Sequence, residues 1–439
     1  MLTKANIGLL SIISVLLAGN VHAQEVEIGN GVPDYSASQE SAYLFSASTR
    51  VNKARMRSDP MMSSLKEDNS VMSIESIGMN ARLLNGSVDQ FFINLGPGLV
   101  YPVKQLEAYA MDDEYTAWSG EIDMGVSFAE KSDEEKSANQ ALFVRSKGDR
   151  IYGQIQLGHQ TFELLTMNNG EYVLVERDYS QLNHGDDTPE TDYTAYGQFP
   201  FDYSLSEAGP AGSPGPRGGN TQIRVIQAVT PQVVNALGGI SAAVDLMHFF
   251  IAQTNQVYRN NNLALRLVNA GTFRVSPNER STVGANLSDL VDTDDVFLDN
   301  YATNRRNERS ADLVALIVNA NNLCGQAAGI GVTQSRGYFV VNRRCRNFTF
   351  AHEIGHLFGA RHDTDTNRSP FSYGHGFLST RGNFRTVMAV NGAGRPPRIG
   401  LFSTDRSSEA IAGVTPGNRT FRDNERVHQT RASTVARFR

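Results

Sequence analysis

The segment His352 to Asp363, which reads HEIGHLFGARHD, constrains the local fold more than any other part of this chain. His352 and His356 are four residues apart, so on a helix they occupy one face, about one turn from each other. Gly359 follows three residues later, where a helix can end sharply because glycine enters the left-handed conformation without steric cost. That bend would return His362 towards the first two histidines. The pattern therefore predicts a helix, a sharp turn and three converging imidazoles.

Three neutral imidazoles form a donor set that suits one zinc ion, with Zn–N distances of about 2.0 to 2.1 Å. Three protein ligands leave a fourth position open to water, which is typical of a catalytic zinc site and not of a structural one. Glu353 follows the first histidine and is expected to act as the general base that accepts a proton from this water. The segment therefore predicts hydrolysis of peptide bonds with one catalytic Zn2+ ion, and the sequence leaves calcium binding open.

This segment resembles the zinc signature of the metzincin endopeptidases, HExxHxxGxxH. The metzincins also have a methionine turn beneath the metal, which Thr386 to Ala389 (TVMA) resembles, with Met388 as its methionine. Asp363 is similar to the aspartate that supports the site by hydrogen bonding in the reprolysin (adamalysin) branch. Val390 stands where astacins and serralysins have a tyrosine that can reach the zinc, which disfavours those two branches.

Three further stretches are similar to bacterial reprolysin-like families, especially the peptidyl-Asp metalloendopeptidases: FSYGHGF, RPPRIGLFS and TRASTVARFR. The resemblance is good over about residues 310 to 439 and weak upstream. It implies a zinc endopeptidase and suggests a preference for acidic residues after the cleaved bond. Arg395 and Arg398 follow the methionine turn, where metzincins build the wall of the pocket for that residue. One hypothesis is that one of them binds an acidic substrate side chain, and the alternative is that both are surface arginines.

The composition divides the chain into four parts. Residues 1–23 have a positive start, an apolar run too short to span a membrane and a small-residue cleavage motif, as in a signal peptide. Residues 24–205 contain short β-type runs separated by turns and predict a mainly β, acidic, propeptide-like domain, with a permanent binding domain as the alternative. Residues 206–220 are rich in glycine and proline and predict an exposed linker, in which Arg217 is accessible to a maturation protease. Residues 221–439 contain the zinc motif.

Predicted strands and helices alternate in residues 221–439. The strands are Ile223 to Val229, Ala264 to Val268, Leu313 to Val318 and Tyr338 to Val341, and the helices are Ser241 to Tyr258, Leu287 to Thr303 and Phe348 to Phe358. This alternation predicts an α/β fold, a metzincin-like twisted mixed sheet with flanking helices. In the N-terminal half an antiparallel meander is predicted from Ile151 to Leu157, Thr161 to Leu165 and Tyr172 to Val175.

The two halves of the chain carry opposite charge. Residues 221–439 contain 25 Arg, no Lys and 16 acidic residues, a net charge of +9, which leaves −15 for residues 1–220. The split suits an acidic N-terminal region that covers a basic partner in the precursor. Since no cysteine precedes Cys324, a propeptide cysteine cannot silence the zinc. Latency would therefore depend on steric cover, charge, or an Asp, Glu or His of residues 24–205.

Cys324 and Cys345 are the two cysteines of the chain. A disulfide between them would contribute about 3 kcal/mol by constraining the unfolded chain, and it would fit an exported protein. The alternative is a pair of buried thiols. Together with the signal peptide, the pair predicts a secreted protein, extracellular or periplasmic in transit, with no membrane association after the signal is removed.

The predicted partners are protein or peptide substrates and, in the precursor, the chain's own N-terminal domain; no nucleic-acid partner is predicted. Two other functions stay open. One is an endopeptidase of broad, reprolysin-like specificity, and the other is an inactive secreted binding protein on a protease scaffold. The presence of Glu353 favours an enzyme, because a scaffold that has lost activity usually lacks the general base.

Overall fold

The computed structural model describes residues 43–47, 58–96, 98–124, 139–182, 221–276, 278–292, 298–390 and 394–439. The predicted signal peptide at residues 1–23 and the predicted linker at residues 206–220, with Arg217, lie outside these ranges. Within the described ranges no helix is long and apolar enough to cross a membrane.

The N-terminal half forms a sheet of nine strands in which neighbouring strands are antiparallel. The strands are β1 Phe45–Ala47, β2 Val71–Met79, β3 Gln90–Asn94, β4 Val100–Ala110, β5 Tyr115–Ile122, β6 Asn139–Ser146, β7 Ile151–Leu157, β8 Gln160–Thr166 and β9 Tyr172–Arg177. Their order across the sheet is β1-β2-β9-β8-β7-β6-β5-β4-β3. The predicted meander is confirmed as β7, β8 and β9, with Gly158 and Gly170 at positive φ in the two turns.

The sheet curls until its two edges meet. Tyr43, just before β1, pairs with Phe92 on β3, and the Leu44 amide donates a hydrogen bond to the Phe92 carbonyl at 2.8 Å. The inner face of the curl encloses its own hydrophobic core, in which the rings of Phe91 and Trp118 lie 4.4 Å apart between centroids. Because alternate side chains of a strand point to opposite faces, the outer face is available to pack on the C-terminal half.

The C-terminal half contains a five-stranded mixed sheet. Its strands are β10 Thr221–Val229, β11 Leu265–Arg274, β12 Leu313–Val318, β13 Gly325–Ala327 and β14 Tyr338–Asn342, and a short hairpin follows as β15 Leu378–Ser379 and β16 Phe384–Arg385. The order is β11-β10-β12-β14-β13, and β13 is antiparallel to β14 whereas the other pairs are parallel. Every residue of β12 is buried, as expected for a central strand covered on both faces. The predicted mixed sheet is confirmed.

The helices of the described residues are α1 Pro60–Lys66, α2 Pro231–Ala236, α3 Ile240–Asn260, α4 Val283–Val291, α5 Asp299–Glu308, α6 Thr349–Phe358 and α7 Asn424–Val435. The predictions for α3 and α6 are confirmed. The prediction of one helix from Leu287 to Thr303 is wrong, because α4 ends at Val291 and Asp292 has an extended backbone with ψ 123°. Aspartate and threonine compete with helix formation through local hydrogen bonds, and the sequence after Val291 is DTDD.

One hydrophobic core runs through both halves of the chain. It joins Tyr152 of β7 to Phe249 and Phe250 of α3, and these to Phe350 of α6. The ring centroids of Tyr152 and Phe249 are 4.6 Å apart, and those of Phe250 and Phe350 are 5.3 Å apart. Helix α3 therefore packs between the nine-stranded sheet and α6, the helix that contains His352, Glu353 and His356.

Candidate active site

Helix α6 contains the first part of the segment His352 to Asp363. It follows Phe348, which has a left-handed backbone with φ 62°, and it ends at Gly359, which has φ 112°. The Gly359 amide donates to the carbonyls of Gly355 at 3.1 Å and His356 at 2.9 Å, which closes the last turn. Since glycine adopts this conformation without steric cost, the chain can reverse immediately after the helix.

The returning chain is fixed by a short backbone pairing beside His362. The Arg361 amide donates to the Gly374 carbonyl at 2.7 Å, and the Gly376 amide donates to the Arg361 carbonyl at 2.9 Å. This pairing holds the backbone next to His362 in place. The helix, the sharp turn and the convergence predicted from the segment are all present.

Three imidazole nitrogens meet at one point. The Nε2 atoms of His352 and His362 are 3.1 Å apart, those of His352 and His356 are 3.2 Å apart, and those of His356 and His362 are 3.1 Å apart. All three rings are buried. Nitrogens that share one zinc ion tetrahedrally at about 2.0 to 2.1 Å would lie about 3.3 to 3.4 Å from each other. Within the described residues this is the one cluster of three or more groups able to hold a metal.

Hydrogen bonds on the far side of the rings set the tautomers. Nδ1 of His352 lies 2.8 Å from the Val387 carbonyl, and Nδ1 of His356 lies 2.9 Å from the Ala360 carbonyl. A carbonyl only accepts, so each Nδ1 carries a proton and each Nε2 presents its lone pair to the centre of the cluster. Lone pairs that face each other at this distance repel unless a cation lies between them. The donor set therefore fits zinc, with the carbonyls as its outer support.

Glu353 is completely buried on α6, next in sequence to His352. Gly325 of the edge strand β13 makes room for its carboxylate, since a Cβ at Gly325 would lie 2.4 Å from Glu353 Oε1. The backbone of β13 therefore forms the wall against which this carboxylate rests. The structure places the candidate base on the same short helix as two of the three imidazoles.

Met388 packs against the backbone of α6. A Cβ at Gly355, which lies between Glu353 and His356 in sequence, would be 2.4 Å from the Met388 sulfur. The turn at residues 386–389 also supplies the Val387 carbonyl that holds the ring of His352. The methionine turn therefore touches both the helix and one of the candidate ligands.

Asp363 connects the segment after the third histidine to the chain after the methionine turn. Its Oδ1 accepts a hydrogen bond from the Val390 amide at 3.0 Å, and its Oδ2 forms an ion pair with Arg395. Arg395 in turn donates from Nη1 to the Val390 carbonyl at 2.8 Å. Nη1 of Arg422 donates to the Asp363 carbonyl at 2.7 Å. These contacts are those of a supporting residue.

Arg398 is buried, with 1% of its surface exposed, so the alternative of a surface arginine is wrong for this residue. Nη1 donates to the Asn347 carbonyl at 3.1 Å and Nη2 to the Ala389 carbonyl at 3.0 Å. Arg395 keeps about a fifth of its side chain exposed, but it pairs with Asp363. Both guanidinium groups thus have partners within the protein, which weakens the hypothesis that either one binds substrate.

Cys324 and Cys345 form a disulfide, and the described residues contain no free cysteine. The Asn342 amide donates to the Cys324 carbonyl at 2.7 Å, and the Cys345 amide donates to the Asn342 carbonyl at 3.0 Å. The bridge therefore ties the start of β13 to the turn after β14. It secures the strand that carries Gly325.

Comparison with known proteins agrees with this geometry. Residues 219–403 match the model of metallo-peptidase family M12. The chain is 31% identical over 417 residues to a peptidyl-Asp metalloendopeptidase of Stenotrophomonas maltophilia strain K279a, which covers 92% of this chain and 95% of that protein. The chain belongs to metallo-peptidase family M12. It is also similar to proteins of the same name from S. maltophilia strain R551-3 (29% identity over 418 residues, 92% of this chain and 95% of that protein) and Xanthomonas campestris pv. campestris (32% over 305 residues, 69% and 70%).

Membership of family M12 makes this protein a zinc metalloendopeptidase, and its substrates are proteins or peptides. The resemblance to the peptidyl-Asp metalloendopeptidases is confirmed. It extends over most of the chain, not only over residues 310 to 439 as the motifs alone indicated.

Three further residues of the metalloendopeptidase build the site and were missed from the sequence: Gly325, Arg385 and Arg422. Nε of Arg385 donates to the Pro396 carbonyl at 3.1 Å, and Nη1 of Arg422 donates to the Gly376 carbonyl at 2.6 Å. Gly325 precedes the zinc motif and the two arginines follow it, and none of them belongs to a local pattern. Strand glycines often mark a close approach, but no strand was predicted at residues 325–327, so Gly325 could not be recognised in this way.

Proposed function

We propose that this protein is a secreted endopeptidase that prefers acidic residues after the cleaved bond, with His352, His356 and His362 as zinc ligands and Glu353 as general base. One observation carries the assignment of the zinc ligands and the base. Three Nε2 atoms, 3.1 to 3.2 Å apart, converge beside a buried glutamate of the same helix. A structural zinc site uses four protein ligands, whereas this cluster has three and a neighbouring carboxylate.

Each residue has a defined task in hydrolysis. When bound, zinc supplies Lewis acidity, which acidifies water and polarises the carbonyl of the peptide. Glu353 accepts the proton of the attacking water and then delivers it to the departing amine, so one carboxylate acts first as base and then as acid. The carbonyls of Val387 and Ala360 hold the Nδ1 protons, which keeps the Nε2 lone pairs of His352 and His356 directed at the ion.

Two observations support the acidic preference. The similar proteins from Stenotrophomonas and Xanthomonas are named peptidyl-Asp metalloendopeptidases. Residues 221–439 also carry a net charge of +9, which favours the approach of acidic peptides. Arg395 remains the candidate for a direct contact because about a fifth of its side chain is exposed, although Asp363 competes for its guanidinium group.

We also infer that residues 1–23 direct export, that residues 24–205 are a propeptide-like region, and that the linker at residues 206–220 is the place of maturation. The disulfide between Cys324 and Cys345 supports export, because disulfides persist in oxidising compartments. Mass spectrometry of the protein in culture medium tests all three points, since it gives the new N-termini.

The test of the catalytic site compares Glu353→Gln with Glu308→Gln, a change at an exposed glutamate of α5. We expect Glu353→Gln to lower kcat/KM about 10²- to 10⁴-fold while one zinc ion per chain remains. His356→Ala should lose the zinc itself, measured by elemental mass spectrometry. Full activity of Glu353→Gln would refute the assignment of the base.

The test of specificity uses two peptides that differ only by Asp or Asn after the cleaved bond. We expect a higher kcat/KM for the Asp peptide, and a rise in salt concentration should reduce the difference because it screens the attraction. Equal cleavage of both peptides would refute the acidic preference and favour the alternative of broad specificity.

A further inference from the structure

The β7–β8 hairpin of the N-terminal sheet contacts the chain just before α6 and the chain after the methionine turn. Nε2 of Gln156 donates to the Arg398 carbonyl at 2.9 Å, in the segment after the methionine turn. Nε2 of Gln154 lies 3.4 Å from the Arg346 carbonyl, just before α6 begins. One hairpin therefore touches both the entrance of the helix and the segment that follows the methionine turn.

A buried ion pair reinforces the contact before α6. Glu163 on β8 accepts a hydrogen bond from Nη1 of Arg346 at 2.5 Å and another from Nε of Arg177 at 2.9 Å. Glu163 is completely buried, and Arg346 is 2% exposed. Burial alone would raise the pKa of Glu163, but the two guanidinium groups lower it below its usual value. Glu163 is therefore a carboxylate of the N-terminal half that neutralises a buried cation of the C-terminal half.

Contacts farther from the site join the same two halves. Arg150 of the N-terminal half donates from Nε to Asp245 of α3 at 2.7 Å, and the Tyr115 hydroxyl donates to the same carboxylate at 3.0 Å. The amide side chain of Asn168 donates to the Leu237 carbonyl at 2.9 Å. Together with the shared hydrophobic core, these contacts give an interface built like a domain interior.

We propose that the N-terminal sheet stays bound to residues 221–439 after the chain is cut between them, so that the propeptide-like region becomes a lasting subunit of the protease and is not released at maturation. Separation would expose the shared core to water and would leave Arg346 without the carboxylate that neutralises it. Exposing the apolar side chains of the shared core to water costs about 25 cal/mol per Å² of apolar area, and this cost opposes separation of the two halves. The β7–β8 hairpin then positions the chain before α6 and the chain after the methionine turn. A cut in the linker would break the covalent link between the two halves without separating them. The inference concerns the association of the two halves and does not depend on the proposed acidic preference.

The test cuts the folded, full-length protein. A recognition sequence for a specific protease is inserted within residues 206–220, and the protein is cut and passed over a size-exclusion column in native buffer. The Glu353→Gln background prevents self-digestion during the experiment. We expect both fragments to elute together at the volume of the uncut protein and to separate only in denaturant. Elution as two separate fragments in native buffer would overturn the proposal.

A second measurement isolates the hairpin. Glu163→Gln keeps the shape of the side chain and removes its charge, and we expect the cut complex to dissociate at least about tenfold more readily. The matched control is Glu114→Gln, whose exposed ion pair with Lys147 lies within the N-terminal half. If Glu163→Gln does not fold, Gln156→Ala removes the contact with Arg398 instead. Dissociation equal to that of the control for every hairpin variant would contradict the proposal.

The enzymatic readout separates positioning from folding. In the cut protein with Glu353 intact, Glu163→Gln should lower kcat more than it raises KM, because it disturbs the segment before α6 and not the substrate contacts. Zinc content should stay at one ion per chain. Glu163→Asp, which restores the charge, should recover most of kcat. Unchanged kcat in Glu163→Gln would overturn the positioning role.

Discussion

Gly325 lies against the carboxylate of Glu353, so closely that a Cβ at Gly325 would stand 2.4 Å from Oε1 and 2.8 Å from Cδ. Such contacts are shorter than atoms tolerate, and the flexible side chain of Glu353 would move first. We therefore predict that Gly325→Ala lowers kcat about 10²-fold, since a displacement of about 1 Å at a reacting group has an effect of this size. Steady-state kinetics with a defined peptide measure it.

Zinc content and the melting temperature separate this effect from damage to the fold. Both should stay close to the wild-type values in Gly325→Ala, because the change touches neither the imidazoles nor the core. Gly78→Ala is the matched control, since Gly78 is also a strand glycine and a Cβ there would meet only ordinary contacts at 3.6 Å or more. Full activity of Gly325→Ala would contradict the placement of Glu353 against β13.

Asp363 and Arg395 provide the second prediction. Asp363→Ala removes the carboxylate that accepts from the Val390 amide and pairs with Arg395, whose bond to the Val390 carbonyl remains, so we expect a loss of about 1–3 kcal/mol in the free energy of unfolding. Arg395→Met should lower kcat/KM for the Asp and Asn peptides by the same factor if Arg395 serves the fold. A loss confined to the Asp peptide would instead identify Arg395 as the group that binds the acidic side chain.

The parts of the site that follow local spacing could be predicted from the sequence. The positions of His352, His356 and Gly359 depend on helix periodicity and on one left-handed residue. Both properties can be recognised in the eleven residues from His352 to His362. The predicted single helix from Leu287 to Thr303 failed because the hydrophobic pattern outweighed the helix-breaking run DTDD. Asp and Thr side chains favour local hydrogen bonds over helix, and the described chain already leaves the helix at Asp292.

The supporting contacts could not be predicted, because they join positions far apart in sequence. Glu163 and Arg346 belong to different halves of the chain, and nothing near either residue marks it as a partner of the other. The same is true of Tyr43 and Phe92, whose pairing closes the N-terminal sheet. Such contacts depend on how the strands and helices pack in three dimensions. Charge counts and hydrophobic periodicity give no information about this packing.

The disulfide between Cys324 and Cys345 provides the third prediction. Replacing both cysteines by serine should lower the free energy of unfolding by about 3 kcal/mol, because the unfolded chain regains the freedom of a closed loop. The wild-type protein should lose the same stability in a reducing agent, and the double variant should be insensitive to it. Equal denaturation midpoints for wild type and variant would contradict this account.

His428 of α7 is completely buried among aromatic rings, with centroids 4.1 Å from Phe402 and 4.5 Å from Phe358 at the end of α6. Neither ring nitrogen has a hydrogen-bond partner among the described residues. Burial lowers the pKa of His428 to about 3, whereas the unfolded chain has a value of about 6.5. Between these values the unfolded state binds a proton that the folded state does not. His428 therefore removes stability as the pH falls from about 6.5 towards 3 and has no such effect above this range.

The fourth prediction follows from this sign. Well below pH 6.5, His428 should contribute a slope of about 1.4 kcal/mol per pH unit to the free energy of unfolding, and His428→Leu should remove that part of the slope. Urea denaturation at several pH values from 7 to 4 measures the slopes, with His159→Gln as a control at an exposed histidine. Leucine loses the aromatic contacts of the imidazole, so the variant should be less stable than wild type at pH 7. The plots of unfolding free energy against pH for the two proteins should converge as the pH falls. Parallel curves for wild type and His428→Leu would show that the buried imidazole does not resist protonation.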